Sequence, residues 1–180
     1  MTIFVALLRA VNVGGTMSLP MKTLATLCSE LGFANVRTYI QSGNVVFESR
    51  LAKAKTHASL ERALAARMGK KIDVVLRDAD GMRKALAGNP FPGAPPAKVA
   101  VAFCSSAVDR ALFKQVVGPG GEQVVAGDLE VYVYYPDGMG RSKLKLPRID
   151  GPVTVRNINT VARLVALCDE VAMARQPTRG

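Results

Sequence analysis

The spacing of apolar residues predicts a strand and then a helix at the amino-terminal end of the chain. Ile3–Leu8 is an unbroken apolar run of strand length, which is typical of a strand buried on both faces of a sheet. A polar, glycine-containing stretch follows, and Ser18 and Pro20 then supply residues that begin helices. The apolar positions recur at helical spacing and end before Gly32; they are Leu24, Leu27, Cys28 and Leu31.

Two strands, a second helix and a fourth strand continue this pattern. Val36–Ile40 and Val45–Phe47 are joined by the turn residues Gln41–Asn44, and Lys53–Met68 and Ile72–Leu76 follow as helix and strand. The order βαββαβ is that of a ferredoxin-like α/β plait, an antiparallel sheet with helices on one face. In this arrangement the third strand lies between the first and the second.

A segment rich in proline and glycine separates this unit from the rest of the chain. A short helix is predicted at Asp78–Leu86, and Gly88–Pro96 then contains four prolines and two glycines, which exclude regular secondary structure. We therefore predict a first subdomain at 1–88, a linker at 89–97 and a second subdomain at 98–180.

The second subdomain is predicted to repeat the strand order of the first. Val99–Phe103 is an apolar strand, Val108–Val117 has the apolar spacing of a helix, and a hairpin joins Gln123–Ala126 to Leu129–Tyr135. A final helix is expected from a cap near Asn157 as far as residue 171. The fold class is therefore α+β, with two ferredoxin-like subdomains.

The strand order brings two polar segments of the first subdomain to one edge of its sheet. The loop after the first strand and the turn between the second and third strands share that edge. We expect their polar and glycine residues to form a ligand-binding site; these are Arg9, Asn12, Gly14, Gly15, Gln41, Ser42 and Asn44. A glycine loop between a strand and a helix is typical of anion sites, but the spacing matches neither a dinucleotide fingerprint nor a P-loop. Each segment alone is also explained as a plain turn.

A second polar group precedes the final helix. Arg156, Asn157 and Asn159 place three polar side chains where one asparagine is enough to cap a helix. We expect them to join the binding site if the second subdomain packs on the open face of the first sheet.

Charge and cysteine usage limit the classes of function. The chain has 24 lysine and arginine residues against 14 aspartate and glutamate residues, a net charge of +10. This excess indicates an anionic small molecule or nucleic acid as partner, although scattered cations are also typical of a solvated surface. No apolar run approaches the roughly 20 residues of a membrane span. We expect a cytoplasmic protein with no membrane partner, whose Cys28, Cys104 and Cys168 are reduced core thiols.

The sequence carries no catalytic or metal-binding signature. His57 is the only histidine and is expected to face solvent from its helix. A nucleophile elbow, a zinc-protease histidine pair and paired metal-binding cysteines are all missing from the sequence. We therefore expect neither a metal nor a cofactor, and an enzyme would have to rely on arginine, asparagine and serine.

Several stretches give the chain a family resemblance. They are Phe4–Gly15, Arg37–Phe47, Asn89–Phe91 and Thr154–Val161. Together they resemble the bacterial family called domain of unknown function 1697, over nearly the whole chain. Ala10 stands where a glycine is usual in that family, and Ile158 where an aromatic residue is common. The resemblance implies two ferredoxin-like α/β subdomains and implies no activity.

Three functional hypotheses follow from these observations. The first is a metal-free binding protein for an anionic or nucleotide-like ligand, including nucleic acid. The second is an enzyme that acts on a small phosphorylated or carboxylated substrate, with Arg9 or Arg156 as the anion clamp. In the third, the motifs only fix turns and the interface between subdomains, and loss of the Asn12 or Asn44 side chain lowers stability without affecting any binding.

Overall fold

A four-stranded antiparallel sheet forms the first unit of the computed structural model, which describes residues 1–15 and 18–174. Its strands are β1 (Thr2–Leu8), β2 (Ala34–Tyr39), β3 (Asn44–Ser49) and β4 (Val74–Asp78). Their order in the sheet is β2-β3-β1-β4. The predicted position of the third strand between the first and the second is therefore confirmed.

The helices of the first unit connect and follow these strands. Helix α1 (Met21–Glu30) joins β1 to β2, α2 (Lys53–Met68) joins β3 to β4, and α3 (Ala79–Ala87) follows β4. Helix α2 ends at Gly69, which has a φ of 71° and donates its N–H to the carbonyl of Ala65 at 2.9 Å. Glycine suits this left-handed position, so α2 has the bounds that the sequence predicts.

Alternate residues of β1 form the core with α1 and α2. Side chains from one face of the sheet and from both helices share one buried cluster, which includes Phe4, Ala6, Leu8, Leu24, Phe47, Leu60 and Leu64. Phe33 stacks on Phe47 with ring centroids 4.4 Å apart. The other face of β1 is also buried, at Ile3, Val5 and Leu7. This burial of both faces explains why β1 is apolar at every position from Ile3 onward.

The second unit contains a sheet with the same strand order. Its strands are β5 (Val99–Cys104), β6 (Gln123–Ala126), β7 (Glu130–Tyr134) and β8 (Val153–Asn157), and their order is β6-β7-β5-β8. Helix α4 (Ile158–Met173) follows β8, as α3 follows β4. The expectation of two ferredoxin-like sheets in an α+β fold is therefore confirmed.

The predicted helix at Val108–Val117 is wrong. Only a single 3-10 turn, Arg110–Phe113, forms in the connection between β5 and β6. Phe113 inserts into the core, whereas Leu112 and Val117 are exposed. A helix this short depends on a continuous apolar stripe packed against the sheet, and one inserted ring does not supply it.

Residue contacts divide the chain into two compact units. One comprises 1–82 with 164–180, and the other comprises 83–163. The sequence-derived linker at 89–97 lies inside the second unit, and α4 is divided between the two at Leu164. The bounds 1–88, 89–97 and 98–180 remain a prediction about independently folding segments.

The cysteines are core residues. Cys28, Cys104 and Cys168 are buried free thiols. Burial raises the pKa of Cys28 to about 12, because the low-dielectric interior disfavours the thiolate. None of the helices in 1–15 and 18–174 has the length and apolarity that crossing a membrane requires.

Candidate functional site

The loop after β1 and the turn between β2 and β3 meet at one edge of the first sheet. We call residues 9–15 and 41–44 the rim. The N–H of Leu8 donates to the carbonyl of Gly43 at 2.9 Å, and Nδ2 of Asn12 donates to the carbonyl of Gln41 at 2.7 Å. The predicted proximity of the two segments is therefore confirmed.

Asn12 uses its whole carboxamide to hold the rim together. Besides the bond to Gln41, Nδ2 donates to the carbonyl of Leu19 at 2.9 Å, and Oδ1 accepts from the N–H of Leu19 at 2.7 Å. A carboxamide has two N–H donors, so both are engaged. Asn12 thus closes the loop between β1 and α1 onto itself and ties it to the turn.

Asn44 has a similar structural role inside the hairpin. Its side chain is fully buried, and Nδ2 donates to the carbonyl of Tyr39 and to Oγ of Ser42, both at 2.9 Å. These bonds close the turn between β2 and β3. The side chains of Asn12 and Asn44 therefore stabilise the rim rather than extend from it.

Arg9 and the glycines remain at the surface of the rim. The side chain of Arg9 is 54% exposed, and its Nη1 lies 3.5 Å from Oδ2 of Asp73. Nζ of Lys71 lies 3.0 Å from the other carboxylate oxygen of Asp73, and this hydrogen bond raises the pKa of Lys71. Gly14 and Gly15 are exposed, and the space where a Cβ would stand is open at both. Arg9 and Lys71 therefore share the carboxylate of Asp73.

Arg156 is a buried arginine of the second unit. Its Nη1 donates to Oγ1 of Thr154 at 2.7 Å and to the carbonyl of Val155 at 2.9 Å. The side chain sits on the face of β8 that is removed from solvent, and burial lowers its pKa to about 10. The sequence predicts this residue as a ligand contact, and the structure places it among groups of its own strand.

Asn157 caps α4, as the sequence predicts. Its Oδ1 accepts the N–H of Asn159 at 2.9 Å, which satisfies one of the free donors of the first helical turn. Its Nδ2 donates to the carbonyls of Pro96 and Ala97 at 3.2 and 3.1 Å. Asn159 itself is exposed. That these residues complete the rim site remains a prediction.

The two units share a motif that the sequence analysis missed. Arg77 on β4 and Arg156 on β8 are both buried, and they occupy equivalent places beside the central strands β1 and β5. Each is followed by a capping residue: Oδ1 of Asp78 accepts from the N–H of Gly81 at 2.7 Å, as Asn157 does at α4. The sequence signal for this motif is an arginine followed by aspartate or asparagine directly before a helix, and it occurs once in each unit.

His57 packs against the sheet, contrary to the sequence-based expectation that it faces solvent. Its Nε2 lies 2.7 Å from the carbonyl of Val74 and 3.5 Å from Oε1 of Glu61. The fourth strand passes under this face of α2, which the helical pattern alone does not indicate. Within 1–15 and 18–174, no three histidine, cysteine, aspartate or glutamate side chains are grouped as a metal site.

A cavity of about 410 Å³ lies between α1 and the end of α2. It is lined by Pro20, Lys22, Thr23, Thr26, Leu27, Glu30 and Arg67. It begins at Pro20, the residue after Leu19, which Asn12 binds. A second cavity of about 380 Å³ lies in the second unit, and its lining includes Glu122, Tyr135, Asp137, Arg141 and Lys143.

Comparison with known proteins identifies the family. The family model described as "Protein of unknown function (DUF1697)" matches residues 1–132, which include the whole rim. The chain belongs to the DUF1697 family. This membership confirms the resemblance seen in the sequence.

One similar solved structure supports the fold of this DUF1697 protein. It is the conserved bacterial protein SP0830 from Streptococcus pneumoniae, with a TM-score of 0.77, 23% sequence identity, and coverage of 93% of this chain and 98% of that chain. At this identity the similarity shows the fold alone. No curated protein matches the chain.

Ala10 is a strained residue of the loop after β1. It has a φ of 54°, a left-handed conformation that costs a residue with a Cβ about 1–2 kcal/mol. We expect Ala10→Gly to raise the free energy of unfolding by about 1 kcal/mol, measured by urea denaturation, because glycine relieves more strain than it adds in chain entropy. Ala58→Gly, on the exposed side of α2, is the matched control and should lower it by about 1 kcal/mol. A loss of stability in both variants would show that Ala10 is not strained.

Proposed function

We propose that this protein binds a small anionic or nucleotide-like ligand at the rim, without a metal ion. The observation that carries the proposal is the placement of Arg9. Its backbone N–H donates to the carbonyl of Asp73 at 2.9 Å, which fixes its position at the base of the loop, while more than half of its side chain is exposed. An accessible guanidinium on an anchored backbone can form charge-assisted hydrogen bonds with a carboxylate or a phosphate.

We assign the ligand contacts to rim residues that remain accessible after the hydrogen bonds of Asn12 and Asn44 have formed. Asn12 and Asn44 donate to groups of the rim and of the residues that flank it, so their role is to hold the rim in shape. The proposed contacts are Arg9, Gly14, Gly15, Gln41 and Ser42. At the two glycines no Cβ shields the backbone, so a ligand oxygen can approach the N–H groups closely.

One alternative hypothesis was that all the motifs are purely structural. The hydrogen bonds support this role for Asn12 and Asn44 but not for the other rim residues. An enzyme with Arg156 as its anion clamp receives no support, because Arg156 is only 8% exposed and its Nη1 donates to two groups of its own strand. An enzyme that uses Arg9 instead would share the proposed binding site. Such an enzyme would differ from a binding protein because it would convert the bound ligand into a product.

Arg9→Gln is expected to weaken ligand binding at least tenfold, because a hydrogen bond to a charged group contributes about 1.5–3 kcal/mol. The probes are inorganic phosphate, pyrophosphate, AMP, ATP and citrate, each titrated against wild type and variant by thermal shift. We expect at least one probe to raise the Tm of the wild type, and the same probe to have a smaller effect on the variant. Product analysis after incubation with that probe separates an enzyme from a binding protein.

Two further arginine variants make the test specific to the rim. Arg62→Gln removes an exposed arginine of α2 and should leave binding unchanged. Arg67→Gln removes a cation that lines the cavity beside α1. If no probe binds the wild type, or if only Arg67→Gln weakens binding, the rim is not the site.

A further inference from the structure

A basic ridge runs along the second unit in the connection between β7 and β8. Its cations are Arg141, Lys143, Lys145 and Arg148, and all four are exposed. They account for four of the 24 basic residues of the chain within eight positions. No acidic residue occurs between Asp137 and Asp150, so the ridge is the most basic short segment of the second unit.

Leucines alternate with lysines in this segment, and the lysine side chains point away from the protein core. Leu144 and Leu146 pack against the buried cluster of the second sheet, which includes Phe113 and Val131. Lys143 and Lys145 therefore lie on the opposite side of the segment, which faces solvent. Arg141 ends a 3-10 turn and Ser142 has extended backbone angles. Residues two positions apart in an extended chain are separated by about 6.6 Å, so Lys143 and Lys145 stand side by side in a row.

The start of the ridge is fixed to the second sheet. Oγ of Ser142 donates to the carboxylate of Glu122 and accepts the N–H of Leu144 at 3.0 Å. The bond from Ser142 lowers the pKa of Glu122, which keeps this carboxylate ionised. Because Glu122 and Asp137 line one cavity together with Arg141 and Lys143, the least compensated positive charge belongs to Lys145 and Arg148.

We propose that the ridge binds the phosphate backbone of single-stranded nucleic acid. A row of exposed cations along one segment is complementary to a chain that carries one negative charge per nucleotide. The segment 138–149 contains no aromatic residue on which bases could stack, so binding is independent of sequence and rests on charge. An anionic membrane fits less well, because the leucines of the ridge face the protein core and cannot enter a bilayer. The ridge and the rim share no residue, so the proposal does not depend on the rim ligand.

Lys143→Gln together with Lys145→Gln is expected to weaken binding of a fluorescein-labelled oligothymidine of about twenty nucleotides at least tenfold at low salt. Fluorescence anisotropy is measured from about 50 to 200 mM NaCl. For four phosphate contacts the slope of log Kobs against log salt should be about −3, and the double variant should reduce its magnitude by about 1.4.

The matched control carries Lys53→Gln and Lys55→Gln, which remove two exposed cations of α2 and change the net charge equally. It should bind the oligonucleotide like the wild type, and so should Arg9→Gln, which tests the rim. The proposal is overturned if the wild type does not bind, if both double variants lose affinity equally, or if binding shows no salt dependence. Association with phosphatidylserine vesicles but not with the oligonucleotide would also overturn it.

Discussion

Gly43→Ala is expected to lower the free energy of unfolding by about 3 kcal/mol. Gly43 has a φ of 81°, and an added Cβ would stand 2.4 Å from Cγ2 of Val11 and 2.9 Å from Cβ of Leu8. The left-handed backbone costs alanine about 1–2 kcal/mol, and the overlap with two packed side chains adds about 1–3 kcal/mol. Urea denaturation followed by circular dichroism measures the change.

Gly14→Ala is the matched control for this prediction. Gly14 has a similar φ of 66°, but nothing lies within 4 Å of the position of its Cβ. This variant should therefore show the backbone strain alone, about 1 kcal/mol. Equal losses in the two variants would contradict the close packing of the turn on the loop after β1.

The sequence allows the strand order and the proximity of the rim segments to be predicted, because both depend on periodicity and connectivity. An apolar run at Ile3–Leu8 and a turn at Gln41–Asn44 are sufficient to bring the loop and the turn to one edge. The helix Lys53–Met68 is equally well defined, since it consists largely of good helix formers and ends at a glycine. These features are local, and the fold follows from combining them.

The use of the rim side chains could not be predicted in the same way. Asn12 binds the carbonyls of Leu19 and Gln41, and the positions of those carbonyls depend on the conformation of the whole loop. An asparagine that recognises a ligand and one that braces a loop have the same sequence signature. The failed helix at Val108–Val117 has a related cause, because apolar spacing does not indicate whether a sheet surface is available to cover each position.

The basic residues are scattered along the sequence, but in the structure one segment brings several of them to the same exposed side. Arg141, Lys143 and Lys145 alternate with leucines and a serine, which in sequence resembles an ordinary polar connection. The burial of Leu144 and Leu146 turns this alternation into two faces, one apolar and one basic. Alternation of basic and apolar residues therefore indicates a basic surface only when the apolar residues are known to pack against the protein.

Asn12→Ala is expected to lower the free energy of unfolding by about 2–3 kcal/mol. The substitution removes three hydrogen bonds and leaves the N–H of Leu19 without the Asn12 acceptor. It also places alanine at a φ of 56°, where asparagine is tolerated better. Because Asn12 is partly exposed, water can replace some of the lost bonds, so the loss stays below the full cost of three buried groups.

Gln41→Ala separates the bracing role of Asn12 from ligand recognition. Asn12 binds the backbone carbonyl of Gln41, so removing the exposed Gln41 side chain should leave stability within about 0.5 kcal/mol of the wild type. If Gln41 contacts the ligand as proposed, its variant should lose affinity for the probe found by thermal shift. Asn12→Ala should lose affinity only in proportion to its loss of folded rim. A stable Asn12→Ala protein that no longer binds the probe would instead make Asn12 a direct ligand contact, and the assignment of its carboxamide to structure would be wrong.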